Sequence, residues 1–381
     1  MGSNDLINLK TIINSKEDRF AVLDSFRFLA ILVVMLFHYF SRYSTSANGT
    51  VIYPYATKYD YFTYGYLGVQ FFFIISGFVI AYTLHSTENF AAFWKKRVVR
   101  LLPPMIICSM ITFVICLIMD TGNIFPAGKA TANVLLSTCF VSPQLVNTIF
   151  GTHLAYLNGS YWSLWTEIQF YLLASAVYFL NPKKFILNFS FLSLAIYGLY
   201  MSMLYMRGEN FFHFKLSNGS MAGYDLWYSS IFDISSTIMW FLIGILFYKF
   251  FTKNYDRITL LLFVCAVLFQ FYGCRVWPVQ IGMLFMLTLF SLFIVFPTAL
   301  GFLKNKLIAS IGLASYSLYL IHENIGVLLI HKWAAAFGSF DFLFPMLMAL
   351  VLILFSLVSY KFIERPLIHF FRNTMPKSGS I

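Results

Sequence analysis

Ten stretches of this 381-residue chain are apolar over enough length to cross a bilayer, and that recurrence limits the possible folds more than any other feature. They run roughly over 20 to 40, 65 to 85, 100 to 119, 161 to 180, 185 to 206, 231 to 251, 257 to 273, 277 to 297, 308 to 331 and 342 to 363. Hydrocarbon offers no partner to a peptide N–H or C=O, so each run must satisfy its own backbone, which a helix of this length does. With 60% hydrophobic and 11% charged residues, the composition excludes a soluble domain. The expected fold is an all-α polytopic membrane protein of about ten transmembrane helices.

Lys and Arg set the orientation. With a cytoplasmic N-terminus, 18 of the 26 basic residues fall on inner segments and 7 on outer ones, Arg27 lying within the first span. Both termini are then cytoplasmic. Residues 1–19 form an N-terminal tail, 20–366 the transmembrane domain, and 367–381 a C-terminal tail with no room for a second domain. The net charge of +11 reads as topology and contact with anionic headgroups, which leaves no reason to propose a nucleic-acid partner. The first span is long, polar at two points and without a convincing cleavage site, so it is read as retained. The five cysteines match no metal or redox spacing, although a Cys139–Cys274 disulfide is conceivable. Asn48, Asn158 and Asn218 each begin a glycosylation triplet, a pattern common by chance.

Within the first span, Leu23 to Phe40, Arg27 and His38 are eleven positions apart, which brings them to within ~20° of one helix face and ~16 Å apart along the axis. A cation and an imidazole on one side of a membrane helix require protein or water there, so this face is one wall of an internal site. An ion pair with Asp24, three residues away, is the plainer structural reading of Arg27. For His38 it is a hydrogen-bonded histidine near the outer surface. Gln70, in the outer half of the second span, could reach a substrate hydroxyl, while Ser76-Gly77 reads as close helix packing. In the inner loop, Lys95 and Lys96 read as membrane anchors. Arg97 and Arg100, one turn apart, make a fork suited to phosphate oxygens. Pro103-Pro104 is expected to start the third span.

The segment 120 to 160 is the longest that does not span, and its apolar part at 130 to 142 is re-entrant or surface-lying. Beyond it, Glu167 lies about two turns inside the membrane and needs a partner or a proton. Trp162 and Trp165 read as interfacial residues, with a wall for sugar stacking as the functional alternative. Asp233 is expected near its span's outer end, solvated. In the ninth span, His322 and Glu323 point about 100° apart and are expected to serve different roles. Glu364 and Arg365 can pair locally before Pro366 halts the last helix.

The segments LDSFRFLAILVVMLFH, GVQFFFIISGFVI, FWKKRVVRLLPP, YWSLWTEIQFYLL, SYSLYLIH and IERP, in this order, resemble the motifs of acyltransferase family 3, membrane O-acyltransferases of surface and secreted glycans. The resemblance covers about 20 to 366. It implies that His38 is the essential catalytic histidine, that Arg97 and Arg100 belong to the acyl-CoA site, and that Glu167 and His322 match recurrent polar positions. Family members often carry an aspartate at Gln70 and a second glutamate at Ile168. The expected reaction moves an acetyl group from cytoplasmic acetyl-CoA, a co-substrate, to a hydroxyl of an extracytoplasmic or lipid-linked glycan. No permanently bound cofactor and no metal are expected. His38 would act as base, Glu167 would orient it or position the sugar, Arg27 would help hold the donor, and Gln70, Trp162 and His322 would support the acceptor. A bacterial inner membrane is the expected location. Some relatives add a soluble esterase-like domain, so here the chain acts alone, as an oligomer, or with a separate transfer partner. The other class of function is a transporter or flippase for a lipid-linked glycan, with Arg27, Glu167 and His322 as binding or proton-relay groups; no inverted repeat supports it.

Overall fold

The computed structural model describes residues 3–42, 45, 51–53, 55, 58–208, 227, 231–340 and 342–374. The helices are α1 (Ser3–Leu36), α2 (Leu67–His85), α3 (Phe90–Met119), α4 (Thr131–Thr138), α5 (Pro143–Phe150), α6 (Trp162–Leu180), α7 (Phe185–Gly208), α8 (Ile234–Phe251), α9 (Arg257–Gly273), α10 (Trp277–Val295), α11 (Lys306–Leu313), α12 (Ser315–Trp333), α13 (Leu343–Ser359) and α14 (Arg365–Thr374). A π-helical turn, Phe37–Ser41, prolongs α1, and another, Tyr360–Glu364, joins α13 to α14. No strand occurs among the described residues.

A helix occupies each expected window, yet length and apolarity support fewer spans than ten. Among the described residues seven helices can cross a membrane, and α11 with α12, bent by 67° at Ala314, makes an eighth if the pair counts as one. The polar residues Ser163, Thr166, Glu167 and Gln169 set α6 apart, and α9 has only 17 residues. The protein is thus multi-pass, with several helices that serve the interior more than the lipid.

Helix α8 is buried along nearly its whole length and forms the hub. It crosses α2 where Gly77 and Gly244 face each other: a Cβ at Gly77 would overlap the Phe241 carbonyl, and one at Gly244 the Ile74 carbonyl. Lipid tails are as apolar as leucine, so helices associate through such close backbone contact and not through exclusion of water. Phe241 then stacks on both Phe73 (4.6 Å between centroids) and Phe170 (4.1 Å), linking α2, α8 and α6.

Several local expectations are corrected. Pro103 and Pro104 lie inside α3, which begins at Phe90 under an Asn89 cap accepting from the Ala92 N–H at 2.8 Å. Their missing N–H groups remove the helical partners of the Val99 and Arg100 carbonyls, and Tyr316 donates to the nearby Leu101 carbonyl at 3.2 Å. Pro366 does not stop the chain, because it falls in the first turn of α14, where proline is tolerated. Glu364 is buried and accepts hydrogen bonds from Ser317 and Ser359, not from Arg365. Asp233 is buried rather than solvated and accepts from Gln169 at 3.2 Å. Residues 3–19 continue α1 as helix.

Segment 130 to 142 folds as the short helix α4 followed by a turn, and all five cysteines are free. Asn158 is fully buried and donates to the Leu320 carbonyl at 3.1 Å, which rules out glycosylation of the folded chain; Asn48 and Asn218 lie outside the described residues.

Gly244→Leu should force α8 from α2 and destabilise the fold by about 3 kcal/mol. Gly198→Leu, with open space around its Cβ position, should change little. Thermal unfolding of both variants in detergent checks the contrast.

Candidate functional site

Two polar centres lie at different depths of one bundle. The first is a cavity of about 800 Å³, part of it open to solvent, lined by Arg27 of α1 and by Arg97 and Arg100 of α3. The spacing of Arg97 and Arg100 along one helix turn places both on the cavity wall. Arg27 pairs with Asp24, as the three-residue spacing implies. Arg97 is 7% exposed, lies over the rings of Phe93 and Tyr171, and has a buried Nε without a hydrogen-bond partner. Among the described residues no carboxylate forms an ion pair with Arg97 or Arg100. A buried guanidinium in that condition is costly unless an anion completes it.

Glu167 stands in this cavity too, accepting from Ser76 at 2.8 Å and from Tyr171. Ser76 is therefore a polar cavity residue while its neighbour Gly77 makes the helix contact. Tyr316, Ser315, Ser163 and Tyr319 continue the wall.

Tyr319 lines the cavity and also faces the second centre. Its hydroxyl lies 2.7 Å from Ser163 Oγ and donates to the Ser160 carbonyl at 2.9 Å, and its ring is 5.3 Å from that of His322. Beyond it lies the second centre. The imidazoles of His38 and His322 meet edge to face at 4.9 Å. His38 sits on the π-helical turn, the kind of local widening that re-aims a side chain at many functional sites. Its Nδ1 lies 3.5 Å from Glu323 Oε1 and 3.3 Å from Arg42 Nη1.

Glu323, 1% exposed, accepts from Arg42 at 2.7 Å and from Tyr53 at 2.6 Å. Burial, and with it the Glu323 carboxylate, pushes the Tyr53 phenol well above its ordinary value, so it remains a proton donor. His322 is held by its Nδ1 at 2.7 Å from the Tyr319 carbonyl, while its Nε2 is buried without a partner.

The structure thus separates residues that the sequence reading joined and joins two that it separated. Glu167 belongs with the arginines, and the carboxylate beside His38 is Glu323. His322 and Glu323, expected to act apart, both reach His38, because two side chains 100° apart can straddle a third group lying between them. Gln70 lies on α2 with its side-chain oxygen buried and unpartnered. Trp162 packs against Phe73 within the bundle, and Trp165 donates to the Ile231 carbonyl at 2.7 Å, so neither is a simple interfacial anchor.

Arg42, Tyr53, Ser315 and Tyr319 were missed. For Tyr319 a signal existed: Tyr319, His322, Glu323 and Gly326 recur at i, i+3, i+4 and i+7, one stripe of α12. Arg42 is also four residues beyond His38. Among the described residues, no cluster of three or more His, Cys, Asp or Glu side chains has an arrangement that could hold a metal.

Comparison with known proteins places this geometry in context. The chain is 25% identical over 332 residues to the O-acetyltransferase OatA of Staphylococcus aureus, a match covering 80% of this chain and 52% of OatA. A second Staphylococcus aureus chain, provisionally named an O-acetyltransferase, is 23% identical over 376 residues, covering 90% of this chain and 56% of that one. The chain therefore spans about half the length of the curated relatives it matches. No solved structure matches it. The model of the acyltransferase domain family matches residues 20–362, which include both polar centres, and the chain belongs to that family.

Proposed function

We propose that this protein is a membrane O-acetyltransferase. It takes an acetyl group from acetyl-CoA at the cytoplasmic face and delivers it to a hydroxyl of an extracytoplasmic or lipid-linked glycan. The observation that carries this reading is the cavity lined by three arginines and by Tyr319, whose ring lies 5.3 Å from that of His322 in the His322–His38 pair. The distribution of basic residues supports an orientation with the arginine end and both termini cytoplasmic, and a bacterial inner membrane is the location proposed with it.

Arg27, Arg97 and Arg100 hold the phosphates of the donor, and its thioester arm extends past Ser76, Glu167 and Tyr316 toward the histidines. In the tautomer whose Nδ1–H faces Glu323, the lone pair of His38 Nε2 is free to act as base. The sugar hydroxyl gives its proton to that nitrogen as its oxygen attacks the thioester carbonyl. The carbon–sulfur bond then breaks, and the departing thiolate recovers the proton from the imidazolium. Glu323 holds the ring in register and balances the transient imidazolium, the role a carboxylate plays behind a catalytic histidine. Arg42 and Tyr53 fix the carboxylate in turn. His322, with its unpartnered nitrogen, supports the acceptor. Transfer proceeds directly to the glycan or through a separate extracytoplasmic partner, and the relatives' O-acetyltransferase names support the acetyl group as cargo.

The test is transfer of acetyl label from acetyl-CoA to a glycan fraction by membranes carrying the intact protein or His38→Ala. Loss of label by about 100-fold or more is expected in the variant. Equal label would remove His38 from the mechanism, and no donor binding at all would favour the transporter reading.

Two further variants separate the centres. Glu323→Gln should lower kcat by about tenfold to a hundredfold with KM for acetyl-CoA nearly unchanged, since a charge-assisted hydrogen bond is worth about 1.5–3 kcal/mol. Arg97→Ala should act mainly on KM for the donor, and steady-state kinetics in both variants reads the split.

A further inference from the structure

Bending of the α11–α12 pair by 67° leaves α12 with a free N-terminus inside the bundle. The first-turn N–H groups of an α-helix have no partner within that helix, and the N-cap, Ala314, supplies no side-chain cap. Ser315, the first residue of α12, is 4% exposed and lines the cavity together with Leu313 on the other side of the break. Arg27, Arg97 and Arg100 line that same cavity. Arg97 is more than nine-tenths buried, its Nε has no partner, and no carboxylate pairs with it. An interrupted helix whose first residue lines the same cavity as three guanidinium groups brings together two features that each favour negative charge.

We propose that the N-terminus of α12 is an anion site, in which the peptide N–H groups that open the helix at Ser315 share a phosphate or diphosphate with Arg27, Arg97 and Arg100. The break at Ala314 then has a purpose that packing alone does not supply. A continuous helix would carry these N–H groups in its own ladder and present no dipole end to the cavity. The inference rests on the proposed function only for the carrier of the anion, the phosphate-bearing half of an acyl donor. A lipid phosphate offers the same chemistry.

The experiment measures binding of inorganic pyrophosphate and of CoA to the full-length protein in nanodiscs of neutral lipid, and again in discs containing phosphatidylglycerol. Ser315→Asp places a carboxylate where the anion would sit. An acidic residue in the first turn favours the helix, so the fold should persist. Both ligands are expected to bind about tenfold more weakly to this variant, and about as well as to the native chain in Ser315→Asn.

Unchanged binding of CoA and pyrophosphate to Ser315→Asp would overturn the inference while leaving the donor reading intact. Binding of pyrophosphate but not CoA to the native chain, lost in Ser315→Asp, would support the anion site and remove the donor reading. Loss of pyrophosphate binding only in phosphatidylglycerol discs would assign the site to a lipid headgroup and overturn the donor phosphate as its occupant.

Should Ser315→Asp fail to fold, Ser315→Cys gives an independent readout. Its labelling by a methanethiosulfonate reagent, followed on the peptide by mass spectrometry, should slow in the presence of pyrophosphate. An unaltered rate would overturn the inference.

Discussion

An ionised carboxylate removed from water costs several kcal/mol unless donors surround it, and Glu323 sets that problem for a whole end of the bundle. Its solution draws on three parts of the chain at once. Arg42 follows the π turn of α1, Tyr53 comes from the loop beyond it, and His38 lies on the turn itself. Each partner is fixed by meeting the others at one oxygen, so the loop, α1 and α12 are held together by a requirement of charge as much as by apolar contact. Gly159 fits the arrangement, since a Cβ there would lie 3.0 Å from the same Oε1. The imidazole is thereby placed with little freedom, which is what a positioned base needs.

The arginine cavity meets the same physical demand in the opposite way. Asp24 answers Arg27, but the guanidinium of Arg97 is left over aromatic rings with an open nitrogen. Neither centre is complete in itself: Arg97 Nε in the first, and His322 Nε2 and Glu323 Oε2 in the second, are buried without a hydrogen-bond partner. The centres differ in sign: guanidinium groups gather at the cavity, whereas a buried carboxylate stands beside two imidazoles in the second centre.

How much of this could be read from the chain depends on distance along it. Asp24 with Arg27, and Arg97 with Arg100, are separated by one turn of a single helix, and a period of 3.6 makes them visible. The alignment of Arg27 with His38 pointed correctly to an inward face of α1. Glu323 was invisible as the partner of His38 because its partners Arg42 and Tyr53 are 281 and 270 residues away, and periodicity says nothing about which helix stands beside which. Glu167 misled for the same reason. Its depth was expected near His38, but the neighbours across the gap are Ser76 and the arginines. The prolines of α3 were misplaced because local propensity treats them as a boundary, whereas the tertiary surroundings supply Tyr316 near the weakened ladder.

Tyr319 carries a consequence for the membrane that holds the protein. A polar path running unbroken from the arginine cavity to the histidine pair would be a leak, and each elementary charge crossing 100 mV dissipates about 2.3 kcal/mol. The ring of Tyr319, with its hydroxyl tied to Ser163 and to the Ser160 carbonyl, interrupts that path with a side chain that is 6% exposed. In the proposed reaction the group that passes this ring would be an uncharged acyl group, for which burial costs far less than for an ion. A transfer of the kind proposed would then need no continuous charged path through the bundle.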